Sequence, residues 1–235
     1  MTCQENCPYD GKIPYRLTSE GLNEYGINEK YANMIFTYEC PLYQQKKLMA
    51  KRNQRVQRVL GPLSVHSLNN FDSAANPVAF DLVKKYVSKK AWQQGGWLII
   101  YGKYGTGKTH LLSAIIHEAI MGGTLATFAN LAKISTLDFG EAKSQLSQLA
   151  DYDLVGIDDF GIESTQNWLM PNIFRLFDDL NEGNKGLVIT TNLPIDEFEK
   201  LLGERIKDRL VQHAVVVAMK GTSKRMDLRN VSWAD

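Results

Sequence analysis

The stretch LIIYGKYGTGKTHLLSAI, Leu98 to Ile115, decides the fold. Four apolar or aromatic residues run into a glycine. Glycines recur at 102, 105 and 107, and a Lys-Thr pair then opens an amphipathic run. A buried strand, a tight turn and a helix start, in that order, account for the pattern. Gly102 to Thr109 reads G-K-Y-G-T-G-K-T and satisfies G-x-x-x-x-G-K-[ST] in full. The glycines let the backbone curl and turn successive N–H groups onto an anion. The helix that follows aims its positive end at the same point. Lys108 is expected to reach the β- and γ-phosphates of a nucleoside triphosphate, and the Thr109 hydroxyl to ligate Mg²⁺. The nucleotide-binding set is Gly102, Lys103, Tyr104, Gly105, Thr106, Gly107, Lys108, Thr109 and His110. A dinucleotide fingerprint, G-x-G-x-x-G, is not present in this loop.

Working outward, a triphosphatase needs an acid on a neighbouring strand. LVGIDDFG, Leu154 to Gly161, places two carboxylates at the end of an apolar run, fifty residues after Lys108. That end is where ligands sit in parallel sheets. Asp158 is assigned to Mg²⁺ and Asp159 to polarising the attacking water. LVITTN, Leu187 to Asn192, is a third strand ending in polar residues. Asn192 is read as a contact to the γ-phosphate or lytic water and as an N-cap before LPIDEFEKL, two roles that do not exclude one another. In LGERIKDRL, Arg205 and Arg209 stand four apart, on one face of a helix. An exposed arginine there is read as a group reaching a neighbouring subunit's γ-phosphate, or as an ordinary ion-pair partner of Glu204 or Asp208.

The wider pattern is WLIIY, HLLSAIIHEAIM, TLATFAN, LVGID, a helix near Trp168–Leu180, LVITTN and AVVVAM. Short apolar strands alternating with helices predict an α/β fold with a parallel sheet covered on both faces. Residues 1–68 read differently. They contain Cys3, Cys7 and Cys40 and a basic stretch with six Lys or Arg and no acid between Lys46 and Arg58. Met49, Val56, Val59 and Leu60 fall at helical spacing, so a helix with a basic face is expected there. The turn-rich NNFDSAANP, from Asn69, marks a boundary, giving an N-terminal segment 1–68 and an ATPase domain 69–235.

The chain has 235 residues, 44% hydrophobic and 23% charged, with a net charge of +1. This is ordinary for a globular protein, and overall charge gives no reason to expect nucleic acid. MTCQENCPYD has no basic n-region or apolar h-region, and no run approaches a membrane span. A cytoplasmic location without membrane contact is expected. An odd number of cysteines argues against a disulfide framework. A zinc site on Cys3, Cys7 and Cys40 would lack a nearby fourth ligand, because all four histidines lie beyond residue 65. The other reading is that the cysteines are small core hydrophobes.

Taken in order, NNFDSAANPVAFDLVKKYV, GKYGTGKTHLLSAI, DLVGIDDFGIE, VITTNLPIDEFEKLLGERIKDRL and GTSKR resemble the AAA+ ATPases of the DnaC/IstB group. The likeness covers about residues 68–230. It implies an AAA+ P-loop core and an ATPase. It also implies that Asn192 is sensor 1, that Arg209 is an arginine finger acting in trans, and that Arg225 is a second sensor acting in cis on the nucleotide. Lys224 stands where loaders often have an aromatic residue. The resemblance further implies ATP-dependent homo-oligomers and single-stranded DNA binding, with Lys133 and Lys143 as candidate contacts. The cysteine-bearing start resembles a module that docks on the replicative helicase, which implies a helicase loader. The alternative is an IstB-like ATP-dependent regulator of a transposase. A small-molecule kinase would leave Asn192 and Arg209 unexplained.

Overall fold

The computed structural model describes residues 12–16, 35–161 and 168–221. The chain divides into two compact units, Met1–Gln54 and Arg55–Asp235. In the first, β1 (Lys12–Arg16) pairs antiparallel with β2 (Ile35–Glu39), a hairpin that sequence patterning did not anticipate. Helix α1 (Pro41–Leu60) follows and carries the basic stretch. Its Val56 and Leu60 are buried in the second unit, whereas Met49, expected on the apolar face, is exposed. The last turn of α1 therefore belongs to the second unit, which begins at Arg55.

The second unit is built on five parallel strands: β3 (Trp97–Gly102), β4 (Ala126–Asn130), β5 (Leu154–Phe160), β6 (Gly186–Thr191) and β7 (Ala214–Met219). Their spatial order is β4-β5-β6-β3-β7. Side chains alternate across the pleat, so each strand feeds two cores. Trp97, Ile99, Val155, Ile157, Leu187 and Ile189 enter the core beneath α5 (Phe139–Leu149), α6 (Leu169–Glu182) and α7 (Ile195–His213). Leu98, Ile100, Leu154 and Val188 enter the opposite core, with the end of α1, α2 (Pro77–Ser88) and α3 (Lys108–Met121). Burial on both faces explains why these strands read as continuous apolar runs. A short helix, α4 (Leu131–Ile134), lies between β4 and α5. Among the described residues no helix is long and apolar enough to cross a membrane.

Two details position the site. Gly156 lies under α3, where a Cβ would come within 2.9 Å of Leu112 Cδ1. The phosphate-loop helix therefore packs directly on the strand that carries the acids. On β5, Ile157 pairs with Ile189 but Phe160 with Thr191, so β5 holds one residue more than β6. This bulge contains Asp158 and Asp159, and Asp159 takes a left-handed φ of 55°.

Candidate nucleotide site

The loop from Gly102 to Thr109 links the C-terminal end of β3 to the first turn of α3. Gly107 has φ 96°, and a Cβ there would lie 2.9 Å from Phe71 Cε2, so only glycine fits. Thr106 is buried, and its hydroxyl donates to Lys103 O at 2.9 Å, which pins the turn. Lys108 Nζ donates to Gly102 O (2.8 Å), Lys103 O (2.9 Å) and Asn192 Oδ1 (2.6 Å). The lysine is thus buried but solvated by oxygen. Asn192 does not cap the next helix. Pro194 holds that place, and the Asn192 side chain turns to Lys108.

The acids come from β5. Thr109 Oγ1 lies 3.0 and 3.2 Å from the two Asp158 oxygens. Thr190, fully buried on β6, donates to Asp158 Oδ1 at 2.5 Å and accepts from the Asp159 N–H at 3.1 Å. In a regular strand, neighbours point to opposite faces. The bulge instead lets Asp158 and Asp159 line one cavity. Asn130, at the end of β4, donates to Asp159 Oδ2 at 3.3 Å and accepts from Lys133 N–H as the cap of α4. Burial pushes the Asp158 acid above its ordinary value. The Thr190 hydroxyl pulls it back, Asp159 raises it again, and Thr109 and Asn130 oppose that rise. A divalent cation would relieve this buried charge. One hydroxyl and one carboxylate, all hard oxygen donors, fit Mg²⁺ held by Thr109 and Asp158.

A cavity of about 440 Å³ contains Tyr104–His110, Asp159 and Asn192, so most of the expected nucleotide set converges. Its other wall is the segment after α1: His66, Asn70, Phe71 and Asp72. Sequence reasoning missed this wall, whose residues are 36 or more positions from Lys108 in the chain. His66 and His110 stack at 4.3 Å, and His66 Nδ1 lies 2.8 Å from Ser113 Oγ. His110 Nε2 faces two acceptors, Ser67 O and Asn70 Oδ1, each at 3.0 Å, so this nitrogen carries the proton. Burial first, and His110 second, hold His66 below the usual imidazole value. A larger cavity of about 1010 Å³ meets the first at His66, Thr109 and Asp159 and runs along edge strand β4.

Arg205 and Arg209 are on α7, which kinks at Gly203. Arg225, Cys3 and Cys7 fall outside the described residues. Cys40 is buried, and among the described residues no cluster of three or more potential metal ligands exists.

This arrangement, a glycine loop whose lysine meets a polar strand end beside a hydroxyl–carboxylate pair, can be set against known proteins. A sequence family described as IstB-like ATP binding protein matches residues 28–232. The chain belongs to the IstB-like ATP binding family. Within reach of this family member is the replicative helicase loader DnaC of Escherichia coli (strain K12), 32% identical over 119 residues, which are 48% of this chain and 49% of DnaC. The chain spans about half the length of the curated relatives it matches first. Its fold is that of the DnaC helicase loader crystal structure (TM-score 0.59, 19% identity, 68% of this chain and 99% of that one). It is likewise that of replication initiator DnaA bound to AMPPCP and single-stranded DNA (TM-score 0.57, 22% identity, 67% and 50%). The IstB-like chain thus has an AAA+ core.

Proposed function

We propose that this protein is an ATPase that loads the replicative DNA helicase onto single-stranded DNA. The observation that carries the ATPase part is the joining of three strand ends in one pocket. Lys108 of the cradle meets Asn192 from β6, and Thr109 meets Asp158 from β5. Triphosphate enters the cradle, and Lys108 exchanges its carbonyl partners for phosphate oxygens. Thr109 and Asp158 would hold Mg²⁺, which would neutralise developing charge. Asp159 orients the attacking water once its carboxylate leaves Asn130. Arg209 acts on the pocket of the next subunit and Arg225 on its own, so turnover requires an oligomer.

Phe139 supports the DNA part. It is 54% exposed at the start of α5, meets Trp168 edge-on at 5.7 Å and has Lys143 Nζ 6.0 Å from its ring. An open aromatic flanked by a cation is the chemistry that stacks unpaired bases. The likeness to DnaC favours the helicase as partner, with the N-terminal unit as its docking element. The family match, which spans more of the chain than the DnaC match, favours the second reading, an ATP-dependent DNA-binding regulator of a transposase.

The deciding experiment mixes the full chain with purified replicative helicase from the same cell and circular single-stranded DNA, with ATP or ADP. Helicase deposited on DNA only with ATP supports the loader. No helicase complex, with ATP-dependent filaments on duplex DNA, replaces that reading by the second.

A further inference from the structure

Asn76 is a buried polar residue, 5% exposed, at the N-cap position of α2, immediately before Pro77. An asparagine there ordinarily accepts from the N–H of the second or third helical residue. This one makes no such bond. Its carboxamide instead reaches 144 residues along the chain. Asn76 Nδ2 donates to Lys220 O at 3.0 Å, and Lys220 N–H donates to Asn76 Oδ1 at 2.6 Å. The side chain thus mimics an extra strand residue, satisfying both backbone groups of the residue just past β7.

Neither end lines the nucleotide pocket itself, but each lies a few residues along the chain from groups beside it. On one side Met219, next to Lys220, lies against the start of the cradle, where a Cβ on Gly102 would be 2.4 Å from Met219 O. On the other side Asn70, Phe71 and Asp72, in the segment Ser67–Asn76, line the pocket opposite the cradle. Its head is held by His110 through Ser67 O and Asn70 Oδ1, and its middle rests on the loop where Phe71 covers Gly107. Its tail is held by Asn76.

We infer that Asn76 is a positioning residue. It fixes the wall bearing Asn70, Phe71 and Asp72 at the spacing from the cradle that nucleotide requires. This rests on the pocket being an ATP site. The helix cap is forgone so that the pocket's two walls share one anchor.

The test compares Asn76→Ser, Asn76→Asp and Asn76→Ala in the full chain, by titrating fluorescently labelled ADP and unlabelled ATP with Mg²⁺ and by thermal melting. Serine restores a good N-cap but cannot span to Lys220. Asparagine to aspartate keeps the acceptor for Lys220 N–H but sets a carboxylate against Lys220 O. Loss of the two-bond bridge is expected to raise the nucleotide Kd about tenfold in all three. The melting temperature of Asn76→Ser should stay close to that of the wild type. Turnover at saturating ATP should fall far less than affinity. If Asn76→Ala does not fold, the serine and aspartate variants carry the comparison. Wild-type affinity in Asn76→Ser, or affinity losses that track melting temperature across the series, would overturn the assignment. A wild-type chain that binds no nucleotide overturns it together with the ATP-site reading.

Discussion

Thr190 carries neither charge nor an expected role, yet replacing it by valine should be costly. Its hydroxyl is fully buried and serves both acids at once, donating to Asp158 Oδ1 at 2.5 Å and accepting from Asp159 N–H at 3.1 Å. Valine keeps the shape, so no cavity opens. What is lost is one hydrogen bond to a charged acceptor and the acceptor of a backbone N–H that the bulge has withdrawn from the ladder. Bonds to charged groups contribute about 1.5–3 kcal/mol, and an orphaned buried donor costs about 1–3. Because the two terms share one hydroxyl and do not add fully, we expect Thr190→Val to lose about 2–4 kcal/mol. Urea unfolding of the nucleotide-free chain at pH 8 measures it. Thr190→Ser keeps the hydroxyl and should lose only about 1 kcal/mol, for the methyl group.

The pH dependence has a definite sign. Burial raises the folded Asp158 value above its reference of 3.8, so ionising it costs stability as pH rises through the raised value. The Thr190 bond lowers that value and offsets part of the cost. The Thr190→Val deficit should therefore be fullest at pH 8 and shrink as pH falls through the Asp158 value. Equal stability of the valine and serine variants at pH 8, or a deficit that does not change with pH, would refute the reasoning.

Three further outcomes follow from the site. Lys108→Ala removes a cation from the cradle and should weaken ATP binding about ten- to a hundredfold, read by nucleotide titration. Unchanged affinity would remove the cradle from the mechanism. Arg209→Ala should leave ATP affinity intact and abolish turnover in the oligomer. Mixing it with an Asp159→Asn chain should restore some activity, as an arginine acting across subunits requires. Phe139→Ala should lower single-stranded DNA affinity by about five- to a hundredfold with an unchanged salt slope, whereas Lys143→Ala should reduce that slope by about one. Fluorescence anisotropy over a salt series distinguishes the two.

The sequence made the strand–cradle–helix unit legible because its parts are contiguous and glycine is demanded at fixed steps. The acid pair and Asn192 were legible because apolar runs that stop at polar residues mark the ends of parallel strands. What stayed hidden depends on contacts between distant segments. Asn130, Thr190 and Asn76 are ordinary polar residues until β4, β6 and β7 are laid beside their neighbours. The bulge is a mismatch between two strands, and LVGIDDF alone carries no sign of it. Met49 fits a helical stripe, but only the final turn of α1 meets a core. Phe71 and His66 wall the pocket because the chain doubles back over α3, a path no local periodicity encodes.

The left-handed backbone of Asp159 has a consequence for how this protein can change. At φ 55°, a glycine would sit more comfortably than any residue with a Cβ. Asp159→Gly is therefore expected to relax the strand while removing the carboxylate proposed to orient the attacking water. A search for sturdier variants that scored melting temperature alone would be drawn toward this position and would return a well-folded protein without the proposed catalytic acid. Selection for stability and selection for the proposed hydrolysis would thus pull this one position in opposite directions.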